Sequence, residues 1–170
     1  MITGLQPRGF TWVIAGRLAV SERIGGHGFQ HRRVRREEEI NWLIREAGIT
    51  HVVTLLAGNQ NHAAYESAGI RTESVPVTAE NTEVAANELF STLDRLLADP
   101  DAKVLVHREI IDDTIGGLLG GYLVASGRVP DPILAAALIQ EILGRALGPD
   151  EISQPFITSC RKPFATSRSR

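Results

Sequence analysis

Cysteine is nearly absent from this chain: its 170 residues include one, Cys160, which excludes an intramolecular disulfide and any multi-cysteine metal site. Long apolar runs are absent too. No stretch approaches the roughly 18 consecutive apolar residues that span a bilayer, so no membrane segment is expected. Met1 is followed by Ile2, Thr3 and Gly4 rather than by a basic segment leading into an apolar one. No secretory signal is therefore expected, and a cytoplasmic location is. A large charge imbalance is also missing, since the net charge is −2, and with it any global reason to bind nucleic acid. What is present is an ordinary globular composition, 43% hydrophobic and 22% charged, in a length that suits one domain. We expect that domain over residues 1–158, followed by a Ser/Arg-rich tail over residues 159–170 without apolar periodicity.

Along the chain, Trp12 to Ala19 reads as two short strands or one bent strand broken at Gly16. Residues 23–36 combine Gly25, Gly26 and Gly28 with His27, His31 and five arginines, which reads as a mobile basic loop. The loop is either an anion guide or a solvated connection. His27 and His31 lack supporting ligands, and no metal is assigned to them. Ile40, Leu43, Ile44 and Ala47 fall at helical spacing over residues 37–47, with Gly48 as a stop. Residues 49–56 are a near-continuous β-branched run and read as a buried parallel strand. A short helix over residues 62–68 leads to a strand over 71–77. Asn81 or Thr82 is positioned to cap a helix whose apolar face runs from Val84 to Leu97. After a strand at residues 104–106 come a helix beginning near Ile115 and another over 133–147, opened by Asp131-Pro132. Strands alternating with helices require crossovers between parallel neighbours. The fold class is therefore α/β, a three-layer sandwich with a mostly parallel central sheet. Ligands in such folds collect at the carboxyl ends of strands, which places the pocket above residues 51–56, 75–77 and 104–106, with the loops at 57–62, 78–82 and 107–115 facing one another.

Residues 103–121, KVLVHREIIDDTIGGLLGG, hold the sharpest signal. A strand, a polar loop and a helix N-terminus aim backbone N–H groups at one spot, which is the geometry of an anion cradle. The loop nevertheless carries Glu109, Asp112 and Asp113, whose charge opposes an anion.

These residues resemble the dual-specificity and tyrosine phosphatase superfamily, particularly its small bacterial and atypical dual-specificity members. The resemblance runs from about Phe10 to Phe156. TWVIAGRLAVSE is similar to the family's opening strands, EEEINWLIREAGITHVVTLL to its helix and following strand, and AGIRTESVPVTAENT to the strand ending at its general-acid loop. KVLVHREIIDDTIGG occupies the place of the phosphate-binding loop, normally VHCxxGxxR. His107 and Gly116 keep the family residues. Arg108 stands in place of the nucleophilic cysteine, Ile111 of the loop glycine and Thr114 of the phosphate-binding arginine. The family's general acid belongs near residues 78–81, where Glu80 is the carboxylate.

Each replacement has a chemical consequence. A guanidinium stays protonated and cannot attack phosphorus. Ile111 disfavours a positive φ and crowds an approaching anion. Thr114 supplies no bidentate clamp. Cysteine-dependent phosphatase chemistry is therefore not expected.

Two readings of the site follow. In one, the pocket is rebuilt for acid/base chemistry on a small metabolite (isomerisation, dehydration or cyclisation), with Asp112, Glu109, His107, Asp113 and Glu80 as acids and bases. Arg108, Thr114 and Ile111 are then the candidate substrate contacts. In the other, the protein is a non-catalytic pseudophosphatase that binds a small molecule or a protein partner. For single residues, His107 either orients the loop or takes part in catalysis, and Arg108 either pairs with the loop carboxylates or binds substrate. Asp112 is the carboxylate expected to face the pocket, with Asp113 or Thr114 capping the next helix. No cofactor is expected, although Glu109, Asp112 and Asp113 together also suit Mg²⁺. Gly116, Gly117, Gly120 and Gly121 suit close helix–sheet packing, and Trp12 and Trp42 suit the core. Phe156, Ile157 and Phe164 punctuate the polar end and suit docking on a second subunit, so an oligomer is compatible with the sequence.

Overall fold

The structure, a computed structural model, describes residues 4–26, 33–58 and 61–148. His27, Gly28, His31, Asn59, Phe156, Ile157, Cys160, Phe164 and the tail at 159–170 lie outside the described residues. Five strands, β1 (Thr11–Ile14), β2 (Leu18–Glu22), β3 (His51–Thr54), β4 (Arg71–Ser74) and β5 (Val104–Arg108), form one sheet in the order β1-β2-β5-β3-β4. β1 pairs antiparallel with β2, and the remaining pairs are parallel. The helices are α1 (Arg33–Trp42), α2 (His62–Ser67), α3 (Thr82–Leu97), α4 (Asp113–Ala125) and α5 (Pro132–Leu143). This is the α/β class expected, with one difference in connectivity. β5, last in sequence, is central in space, so β2 and β3 are its flanks and not each other's neighbours.

Alternation along the strands divides the core into two layers. Leu18, Val20, Val53, Val104 and Val106 face a core shared with α3, α4 and α5. Ala19, Val52 and Leu105 face the opposite way, onto Ile40, Leu43, Tyr65 and Ile70 of the α1–α2 side. Trp12 and Trp42 are half-buried at the edge of this second core, each meeting the Phe10 ring edge-on, with centroids 5.4 and 4.8 Å away.

Several boundaries differ from expectation for local reasons. The basic segment is already helical at Arg33, four residues before Glu37, because Arg33–Glu37 (2.8 Å) and Arg35–Glu39 (3.0 Å) pair one turn apart. Leu43–Ala47 continues α1 as a π-helical turn that ends at Gly48 with φ +70°, a left-handed cap favouring glycine. Neither Asn81 nor Thr82 caps α3. Asn81 Oδ1 accepts instead from the Thr78 N–H (2.7 Å), and the Thr82 hydroxyl donates to the Thr78 carbonyl (2.9 Å). Gly116 and Gly120 do not pack on the sheet: a side chain at Gly116 would meet Leu147, and one at Gly120 would meet Ile139 of α5.

α5 starts as expected, the Asp131 carboxylate accepting from the Ile133 and Leu134 N–H groups at 2.7 and 3.1 Å. It ends at Gly144 rather than at Leu147. Asp131→Ala is expected to lower stability by about 1 kcal/mol in urea unfolding, the usual worth of an N-cap. No helix among the described residues is long and apolar enough to cross a membrane.

Candidate binding pocket beside His107

Strand β5 carries His107 and Arg108 to the sheet's carboxyl edge, and alternation sends the two side chains to opposite faces. His107 shares the face of Leu105, the α1–α2 side. It is 2% exposed, and its ring lies 6.1 Å from that of Tyr65 on α2. In the neighbouring strands Ser21 and Thr54 are its register partners. A cavity of ≈150 Å³ opens on this face over the ends of β2, β3 and β5. It is lined by Arg23, Thr54, residues 56–58, Asn61, His62, His107 and Glu109. The carboxyl ends of the strands therefore carry the pocket as expected, but it turns toward β2. Residues 75–77 and the loop at 78–82 lie outside its lining.

The polar groups of the lining are unusual for their burial. Both His107 ring nitrogens, His62 Nε2 and Asn61 Oδ1 are buried without a hydrogen-bond partner among the described residues, as is the Tyr65 hydroxyl nearby. Most buried polar side-chain atoms in proteins are paired. Burial, followed by the nearby Arg23 and then His62, pushes the His107 imidazole down to about 3, so it is neutral at physiological pH. Burial, aided by Glu39, raises the Tyr65 phenol far above its ordinary range. At the rim, Arg23 Nη1 meets the two Glu109 carboxylate oxygens at 3.5 and 3.4 Å.

The other carboxylates expected in one pocket are separated by their partners. Asp112, and not Asp113 or Thr114, caps α4: its backbone is extended and its Oδ1 accepts from the Ile115 N–H at 3.0 Å. Its other oxygen lies 3.4 Å from Arg108 Nε, so it faces its own loop and not the cavity. Arg108 Nη1 is buried without a partner among the described residues. Asp113 is the first residue of α4, where its carboxylate pairs with Arg145 at 2.7 Å and accepts from the Gly148 N–H at 3.3 Å. Thr114 follows in the same first turn, half-buried. The Ile111 side chain packs over Gly9 and against the α3–α4 core, while its carbonyl accepts from Arg145. Glu80 is exposed before α3. Of the candidate acids and bases, the fold brings His107 and Glu109 to one cavity. Among the described residues no group of three or more His, Cys, Asp or Glu is placed to hold a metal ion.

Sequence reasoning missed Arg23, Thr54, Asn61 and His62. Thr54 lies in the 51–56 segment where the pocket is expected and shares the strand parity of Val52 on the His107 face, while Arg23 follows directly after β2. Asn61 and His62 belong to the segment 57–62 expected at the carboxyl end of β3, but which of its side chains enter the cavity depends on how α2 docks.

The sheet order, the helices on both faces and the strand–loop–helix at residues 104–125 define the fold of the dual-specificity and tyrosine phosphatases. Three solved structures illustrate the likeness. Kinase associated phosphatase, in a form whose catalytic-site cysteine is replaced by serine, superposes with a TM-score of 0.72 at 15% identity, covering 89% of this chain and 93% of that one. Tk-PTP in its active form gives 0.68 at 17% identity, covering 91% and 97%. The core catalytic domain of the PP-IP phosphatase Siw14 from S. cerevisiae, in complex with citrate, gives 0.65 at 14% identity, covering 91% and 86%. Identities this low carry the fold alone. No family model and no curated sequence matches the chain.

Proposed function

We propose that this protein is a phosphatase-fold binding module that does not carry out cysteine-dependent phosphoryl transfer. One observation carries the reading: the loop that would cradle phosphate is tied to itself. Arg108 stands where the resemblance puts the nucleophile, and it is held by Asp112, which also caps α4. A guanidinium has no lone pair to offer phosphorus at any accessible pH. Asp113 is held by Arg145, and Ile111 fills the space over Gly9, so a transferred phosphoryl group would gain no cationic clamp there. The partner on this reading is a small molecule or another protein. The net charge of −2 gives nucleic acid no general attraction.

Acid/base chemistry on a small metabolite is the second reading, favoured by the joint presence of His107 and Glu109 on one cavity. It is the weaker of the two. An imidazole held near 3 accepts a proton poorly at neutral pH, and Asp112 and Asp113 are engaged elsewhere.

Restoring the nucleophile alone tests the binding-module reading. Arg108→Cys is expected to give no turnover of p-nitrophenyl phosphate above the uncatalysed rate, because Thr114 and Ile111 still deny the phosphoryl group its clamp. Steady-state turnover by that single variant would mean that the loop is a working cradle, and the reading would fail.

A further inference from the structure

The cavity beside His107 holds more unpaired polarity than the packing of α2 on the sheet requires. His107 and Asn61 are 2% and 4% exposed, and together with His62 they leave both ring nitrogens of His107, His62 Nε2 and the Asn61 amide oxygen buried without partners among the described residues. A buried polar atom left unpaired costs about 1–3 kcal/mol, so several in one cavity mark a place built to bond something else. Asn61 is oriented for this: its amide N–H₂ group donates to the Ile24 carbonyl at 3.4 Å, which leaves Oδ1 to accept from a guest. A neutral imidazole such as that of His107 offers one donor and one acceptor.

Size and charge then narrow the class of guest. The cavity's ≈150 Å³ matches an engineered protein cavity of about 150 Å³ that takes benzene, which suits a molecule of a few heavy atoms. Arg23 and Glu109 pair across the rim and offset each other, and His107 is uncharged near neutral pH. An anion entering here would meet the Glu109 carboxylate, and a cation would meet the Arg23 guanidinium. A net-neutral guest meets neither penalty.

We propose that this cavity is a binding site for a small, net-neutral polar molecule carrying both a hydrogen-bond donor and an acceptor, such as an amide or a polyol, held by Asn61, His62 and His107. The site deepens the binding-module reading and rests on it in assigning the ligand no phosphoryl group.

The test uses the full chain labelled with ¹⁵N and reads the histidine ring nitrogens by two-bond ¹H–¹⁵N correlation at pH 7.5 during titration with acetamide, glycerol and inorganic phosphate. With acetamide or glycerol, saturable shifts confined to His62 and His107 are expected at millimolar concentration, while phosphate leaves both rings unmoved. Asn61→Leu and His62→Phe are each expected to weaken that binding at least tenfold. The site is overturned if neither neutral probe gives a saturable shift, if phosphate saturates the same rings, or if both folded variants bind as the parent does. Turnover of p-nitrophenyl phosphate by the same sample would end the binding-module reading and leave the site standing. Absence of probe binding would end the site and leave that reading untouched.

Discussion

Acidification from pH 7 to pH 5 is expected to remove about 2 kcal/mol of folding stability through His107 alone. The folded protein holds this imidazole down at about 3, against an ordinary value of 6.5, because burial and the nearby Arg23 and His62 disfavour its charged form. Between those two values the unfolded chain binds a proton that the folded chain refuses. Stability from this group is therefore fully present above pH 6.5 and falls as pH drops toward 3, below which both states are protonated and the loss levels off. A loss of about 2 kcal/mol corresponds to a fall of roughly 4–8 °C in melting temperature for a chain of this size. The measurement is urea unfolding at half-unit pH steps for the parent and for His107→Leu. The leucine variant is expected to show a shallower slope between pH 7 and pH 5, whatever its absolute stability. Equal slopes would show that His107 is not the group refusing the proton.

The second large effect concerns a residue outside the loop at 108–114. Glu39→Ala is expected to cost about 3 kcal/mol, from the loss of two charge-assisted hydrogen bonds and the stranding of a buried N–H. Glu39 on α1 is 0% exposed; it accepts from the Gly25 N–H at 2.6 Å and from Arg35 Nε at 3.0 Å. These bonds fasten the turn after β2, and with it Arg23, to the α1–α2 face. Glu39→Gln keeps an acceptor for Gly25 and is expected to lose about half as much. A change below about 0.5 kcal/mol for Glu39→Ala would mean that the turn is held by other contacts.

The order of elements was readable because its signals are local. Gly48 stops α1 and its π-helical extension, Asp131 caps α5, and the β-branched run around Val52 and Val53 is a strand wherever it lies in the sheet. The carboxylates were less legible. Asp112, Asp113 and Thr114 are all able to cap a helix, and the choice fell to backbone phase: Asp112 is extended at φ −110°, ψ −177°, whereas Asp113 is already helical. That Asp113 meets Arg145 depends on α5 ending early at Gly144, so that the chain turns back over the loop. Arg33, Arg35 and Arg36 read as loop because their charge outweighed their spacing, while the one-turn pairs Arg33–Glu37 and Arg35–Glu39 supply the reason for a helix. The separation of His107 from Arg108 follows from strand alternation. Which face receives α2, and so where a cavity opens, is a matter of topology that no local pattern encodes.

Hydrolysis of p-nitrophenyl phosphate by the parent protein, followed from pH 5 to pH 8, tests the central claim most directly. With Arg108 where the sequence resemblance would put the nucleophile, and with Asp112 and Asp113 both engaged, the rate is expected to match the protein-free blank at every pH. Saturable hydrolysis that survives repurification and disappears in Arg108→Ala would contradict the account. It would show that the loop at residues 108–114 transfers phosphoryl groups by a route that needs no cysteine.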